Sequence, residues 1–317
     1  MATSPGVDWF EVETKSMRHV TLERPIRAHA DQPAARATGE SGRSLSVRGP
    51  SSDRDAASGA LAAGRRYWRQ IRLACSFAQF GVTALAVAFV VAPVVRLSAA
   101  SSEQAEMAVQ RAIRRAYAFS VALWRLVGIF RLDARGLAGL ADCGPCIVVA
   151  NHPTLVDVVL IGSVLEQMDC IVNAGWTAKS PFLARAIEVA GYVRNDGGVA
   201  VVEQCARRLR SGRRLLVFPE GTRSPWGSFG KFHRGAAHIA LASGAPLVAV
   251  AIRCRPRMLG SGRKWSDTDG RRPAYELAIA GRLDPADYAG MTTPLAARKM
   301  TDDLLRIFLE EPNLADA

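Results

Sequence analysis

CGPCIVVANHPTLVD, Cys143 to Asp157, contains the reading on which the fold turns. Its centre, CIVVA (146–150), is short, continuously apolar and rich in β-branched residues, bounded by Gly144-Pro145 before and Asn151 and Pro153 after. Such a run is a strand buried on both faces. CIVNA (170–174), LLVFP (215–219), PLVAVAIRC (246–254) and YELAIAG (275–281) repeat the pattern. Between them lie helical stretches such as GVAVVEQCARRLRSG and GAAHIALASG, each ending at a glycine suited to the left-handed C′ position. Apolar strands alternating with helices predict an α/β fold whose largely parallel sheet is flanked by helices. TTPLAARKMTDDLLRIFLEE predicts a closing helix with Thr293 as N-cap and Pro294 at N1. No internal repeat is visible.

Upstream the character of the chain changes twice. Residues 1–60 are rich in Ser, Gly, Pro, Ala and charge without a sustained period, and read as a disordered tail. LACSFAQFGVTALAVAFVVAPVV, Leu73 to Val95, then runs uncharged for about 23 residues, roughly 34 Å as a helix and enough to cross a hydrocarbon core. Arg65, Arg66, Arg69 and Arg72 precede it with Tyr67 and Trp68 among them, the flank of a cytoplasmic membrane face. Gln79, Gly81 and Pro93 also permit a re-entrant course. The following stretch, SEQAEMAVQRAIRRAYAFSVALWRLVGIFRL, fits an amphipathic helix on the membrane that completes a hairpin, or one packed on the globular part. Residues 65–131 are thus a membrane-anchoring helical segment. The expected location is the cytoplasmic membrane, with the site on its cytoplasmic side.

The whole-chain totals narrow the function. A net charge of +12 points to an anionic partner: nucleic acid, lipid headgroups or a phosphorylated substrate. Nucleic acid is set aside, because no reading module and no basic–aromatic interleaving is present. Interfacial attraction to anionic lipid adds about 1 kcal/mol per basic residue near the surface. Six cysteines over 317 residues do not make a disulfide scaffold, and the start lacks a secretory apolar run. Cys143-Gly-Pro-Cys146 has dithiol spacing, yet it leads into a strand rather than opening a helix, and no second cysteine pair completes a zinc set. The four residues read as a turn.

His152 follows the strand and precedes Pro153, which suits the first position of a helix. Five residues apart on one helix, His152 and Asp157 would point away from each other; with His152 outside the helix, Asp157 can accept a hydrogen bond from its ring. That bond fixes the tautomer and leaves the other nitrogen to take a proton from a hydroxyl. EGTRSP, Glu220 to Pro225, follows another strand and places charge at the sheet's carboxyl edge, where Arg223 can clamp a phosphate. His233 and His238 read as structural, and Lys231 and Arg234 as a helix start that can meet headgroups.

NHPTLVD together with FPEGTRS resembles the glycerolipid acyltransferases typified by lysophosphatidic acid acyltransferase. GYVRND, with Gly191 and Arg194, and GAPLVAVAIRC resemble the family's second and fourth motifs, in the right order. The resemblance spans residues of about 65 to 285 and makes 132–317 the acyltransferase domain. It implies transfer of an acyl chain from a thioester on coenzyme A or acyl carrier protein to an acceptor hydroxyl, with membrane lipids as partners. His152 would be the general base, oriented by Asp157, with Glu220, Gly221, Thr222, Arg223 and Arg194 binding the acceptor. No metal or redox cofactor is implied, because the thioester is already activated; the absence of a G-x-S-x-G elbow agrees with direct transfer. Asn173 stands where relatives often carry Lys, with Lys179 nearby, and Ala249 replaces a usual Pro. These departures leave open a specialised acceptor lipid, or a lipid-binding protein without catalysis on the same fold.

Overall fold

The structure is a computed structural model that describes residues 51–140, 142–173, 181–224, 228–260 and 271–311. Most of the expected tail and Lys179 lie outside these residues. Seven strands form one sheet: β1 (Arg131–Gly136), β2 (Ile147–Ala150), β3 (Met168–Asn173), β4 (Val193–Asn195), β5 (Arg214–Val217), β6 (Leu247–Arg255) and β7 (Ala274–Leu283). Their order is β1-β7-β6-β2-β5-β3-β4. Every neighbouring pair is parallel except β6 and β7. The largely parallel α/β sheet is as the apolar runs predicted.

Alternation along β2 shows why such runs form. Val148 and Ala150 enter one apolar cluster, Ile147 and Val149 the cluster on the opposite face, and all four are fully buried. On the first face lies α4 (Asp157–Val164) with the N-terminal helices. Between β3 and β4 runs α5 (Pro181–Ala190), and on the second face lie α6 (Gly198–Arg210), α7 (Gly235–Ser243) and α8 (Thr293–Glu310). A strand covered on both faces has no polar side to show in its sequence. Gly244 closes α7 at φ 74°, the left-handed cap expected. The N-cap of α8 is Thr292 rather than Thr293, with Pro294 in the first turn.

The N-terminal segment is α1 (Ser51–Ala86), a π-helical turn (Val87–Val91), α2 (Ala92–Ser98) and α3 (Ser102–Leu126). α1 begins inside the segment read as tail. The wide turn sits immediately before Pro93, whose missing N–H breaks the regular ladder. Ser101 caps α3 by accepting from the Gln104 N–H. Among the described residues one helix, Ala63–Ser98, is long and apolar enough to cross a membrane, and only 11% of its most apolar window is buried. Part of its basic flank turns inward: Arg69 is buried, and Arg72 donates to the Val127 carbonyl at the end of α3 at 3.0 Å. α3 packs on α4, where a Cβ on Gly162 would come within 2.7 Å of the Tyr117 ring.

Candidate active site

Two adjacent parallel strands deliver the site. β2 and β5 pair from Ile147–Leu215 onward, so the residues just past Ala150 and Val217 emerge side by side at the sheet's carboxyl edge. The backbone is stitched there: the Ser224 N–H donates to the His152 carbonyl at 2.8 Å, and the His152 N–H donates to Ser224 Oγ at 3.1 Å. Asn151 extends the β2–β6 ladder with its side chain. Its Nδ2 donates to the Ile252 carbonyl at 2.9 Å, and its Oδ1 accepts from the Ile252 N–H at 2.8 Å.

His152 and Asp157 meet as expected, by a different local route. α4 starts at Asp157 itself, and Pro153 to Val156 form the turn that carries His152 back over it. Nδ1 of His152 lies 2.8 Å from Oδ2 of Asp157. Asp157 is fully buried; its Oδ2 also accepts from the Thr154 N–H at 2.8 Å, and its Oδ1 accepts from the Thr154 hydroxyl. A carboxylate so surrounded by donors is an acceptor toward the ring, so Nδ1–H donates and Nε2 is left with its lone pair. The imidazole stacks on Phe218 at 4.2 Å between centroids, and its side chain keeps 17% exposure.

The Glu-Gly-Thr-Arg turn divides into two kinds of residue. Glu220 is buried, and its carboxylate holds the turn together: Ser224 Oγ donates to Oε1, and the Gly230 N–H donates to Oε2 at 2.7 Å. Gly221, at φ 67°, and Thr222 are exposed beside His152. Arg223 is half-buried, with Nη1 donating to the carbonyls of Leu259 and Gly260 at 3.1 and 3.2 Å. A guanidinium has five N–H groups, and among the described residues these two carbonyls engage Nη1 alone. Arg194 is placed apart from this group. It is exposed on β4 and pairs with Asp196 at 3.4 Å.

His152 and the turn from Glu220 to Arg223 open into a cavity of about 740 Å³. Away from them its wall is chiefly apolar, with Ala84, Ala88, Ile113, Ala116, Val172 and Ile187 among the lining residues. The long axis of sequence thus folds so that α1, the π turn and α3 wall a site whose polar end comes from β2 and β5. His233, read from sequence as structural, also lines it, near Gly221. The backbone of Asn173 ends β3 opposite Asn195, while its side chain lies outside the described residues. Among the described residues no three His, Cys, Asp or Glu side chains converge as a metal set would. Cys143 and Cys146 stand at the other end of β2, their sulfurs 2.7 Å apart across a turn in which Gly144 has φ 65°. Burial pushes the Cys146 thiol well up, which disfavours a reactive thiolate there.

Fold and site together define an α/β protein with a buried carboxylate behind a histidine at the mouth of an apolar cavity. Residues 131–253 match the family model described as Acyltransferase. The 1-acyl-sn-glycerol-3-phosphate acyltransferase BAT2 of Brassica napus is 28% identical over 47% of this chain and 46% of its own. The 1-acyl-sn-glycerol-3-phosphate acyltransferase of Pseudomonas aeruginosa is 26% identical over 57% and 69% respectively. The matched segment thus spans from about half to two thirds of these relatives' length. The crystal structure of the 1-acyl-sn-glycerophosphate acyltransferase PlsC from Thermotoga maritima shares the fold, with a TM-score of 0.55 over 77% of this chain and 97% of that one at 23% identity. Residues 131–253 are thus similar to the acyltransferase family, and the chain to proteins named 1-acyl-sn-glycerol-3-phosphate acyltransferase.

Proposed function

We propose that this protein is a membrane-bound O-acyltransferase that moves a fatty acyl chain from an acyl thioester to the hydroxyl of a lysophosphatidate-like acceptor. The observation that carries the reading is the His152–Asp157 pair at the polar end of an otherwise apolar cavity. Nε2 of His152 takes the acceptor's hydroxyl proton as its oxygen attacks the thioester carbonyl carbon. The carbon–sulfur bond breaks, and the departing thiolate recovers the proton from the imidazolium. Asp157 stabilises that imidazolium. Arg223, beside the pair, is the group to meet the acceptor's phosphate. The thioester, on coenzyme A or acyl carrier protein, supplies the driving force, and the reaction as written calls for no further cofactor.

A second reading keeps the chemistry and changes the acceptor. It is favoured by the position of Arg194, exposed and paired with Asp196 rather than lining the cavity, and by Asn173 at the end of β3. The test uses purified enzyme in mixed micelles with radiolabelled acyl-coenzyme A and a panel of lysolipids. Labelled diacyl product should form from lysophosphatidate, and His152→Ala should lower turnover by about 10²–10⁴-fold. Near-normal turnover in that variant would sink the general-base assignment. Product from another panel member alone would select the specialised acceptor, and tight lipid binding with no transfer would favour a binding protein.

A further inference from the structure

Behind the His152–Asp157 pair a chain of hydrogen bonds continues across the sheet. The hydroxyl of Tyr275, on β7, donates to Thr154 Oγ1 at 3.2 Å, over a separation of 121 residues. Thr154 in turn donates through its hydroxyl to Asp157 Oδ1 and through its N–H to Oδ2. A threonine hydroxyl has one hydrogen and two lone pairs. With that hydrogen on Asp157, what Thr154 can do toward Tyr275 is accept, so all donors in the chain point toward the carboxylate.

The participants are locked in place. Tyr275, Thr154 and Asp157 are all buried, and the Tyr275 ring meets Phe130 edge-on at 5.1 Å. Burial holds the Tyr275 phenol well above its ordinary value, so it remains a donor throughout the working pH range. We propose that Tyr275 is a positioning residue of the proposed acyl transfer, acting through the Thr154 hydroxyl to set the orientation and charge of Asp157 against His152. This rests on His152 being the base.

The physical argument concerns how the carboxylate's charge is shared. Each donor to Asp157 draws negative charge toward itself, and aligned hydrogen bonds strengthen one another. Replacing Tyr275 with Phe removes the phenolic donor at nearly constant volume. Thr154 then donates less strongly, and more charge falls on the Oδ2 that faces His152. His152 should become more basic, and its ring freer to leave the reactive orientation. Other groups bear on the same pair. Cys254, on β6, contacts the phenol, with its thiol pushed up to about 11 by burial. Glu220 Oε1 lies 3.4 Å from the His152 N–H, and Arg223 and His233 line the cavity with the ring.

The experiment compares Tyr275→Phe, Thr154→Val, Thr154→Ser and Cys254→Ala in the full chain in detergent micelles. Two readouts are used: the His152 ring titration by NMR on histidine-labelled protein, assigned with His152→Ala, and the pH profile of acyl transfer. Tyr275→Phe should move the His152 titration and the acid limb of kcat/KM upward together and lower kcat about threefold to tenfold, the scale of one net hydrogen bond. Thr154→Val should do more, Thr154→Ser should restore both, and Cys254→Ala should leave both in place. Titration curves that coincide with wild type in Tyr275→Phe and Thr154→Val would overturn the proposal, leaving the phenol a purely structural group. A shift in Cys254→Ala but not in Thr154→Val would overturn it too, by routing the effect through the thiol. Because NMR titration needs no turnover, an inactive wild type would count against the acyl-transfer reading and leave the hydrogen-bond chain to be judged by the titration.

Discussion

At the scale of single residues, Asn151 shows how a short motif serves two ends. Its amide supplies one further rung between β2 and β6 and so fixes the backbone from which His152 springs. Asn151→Ala would leave the Ile252 N–H and carbonyl without these partners, at about 1–3 kcal/mol each. A lower denaturation midpoint and a fall in kcat are expected, measured by chemical unfolding in detergent and by acyl transfer. An unchanged midpoint would show that the rung is dispensable. His152 and Asp157 were legible because a ring just past a strand and a carboxylate five residues on can meet, as they do at 2.8 Å. Thr154 lies inside the same heptapeptide, but nothing in its identity shows that its hydroxyl faces Asp157. Tyr275 carried no signal at all, since a tyrosine in an apolar strand reads as core. Glu220 was legible as a carboxylate at a strand end; only the folded turn reveals that Ser224 and Gly230 occupy its oxygens.

At the scale of elements, the five apolar strands were readable and β1 and β4 were not. β1 is RLDARG and β4 is VRN, the two edges of the sheet. β1 is largely polar and β4 has only three residues, so hydrophobic periodicity cannot announce them. The N-terminal helices were readable as apolar but not as walls of the site. α1, the π turn and α3 present small side chains to the cavity, Ala84, Ala88 and Ala116 among them. If an acyl chain lies there, Ala116→Phe should fill part of its path and shift donor preference toward shorter chains by several-fold in kcat/KM. Competition between acyl-coenzyme A species of different length measures this, and an unaltered profile would remove α3 from the acyl path.

At the scale of the whole molecule, the segment read as an anchor is joined to the α/β body on one side and bare on the other. Glu106 of α3 meets Arg208 of α6 and Arg213 at 2.9 and 2.8 Å, and both arginines reach Asp169 of β3 at 3.1 and 3.2 Å. On the other side Val82, Phe89, Val90, Val94 and Leu97 are exposed, Leu97 to 88%, with Phe119 and Leu126 of α3. An apolar face of that extent marks an interaction surface, and the proposed action on a lipid makes the bilayer its expected partner. Each large side chain immersed contributes about 1.5–3 kcal/mol. Phe89→Glu with Leu97→Glu should therefore weaken co-sedimentation with phosphatidylglycerol vesicles by at least about tenfold while leaving turnover of detergent-dispersed substrate intact. Undiminished sedimentation would place the membrane contact elsewhere.

By itself the sequence determined the α/β class, the positions of the five apolar strands along the chain, the apolar N-terminal segment and the His152–Asp157 pair. Each of these is local: hydrophobic period and motif spacing are written within a few consecutive residues. Tertiary structure alone decided that Glu220 braces a turn, that Arg194 stands apart, that the N-terminal helices wall the cavity, and that Tyr275 lies behind Thr154. Those are contacts between residues from 4 to 121 positions apart. They come into being only when β2, β5, β6 and β7 pair in register and the helices close over them, because hydrogen-bond reach is set in space and not along the chain.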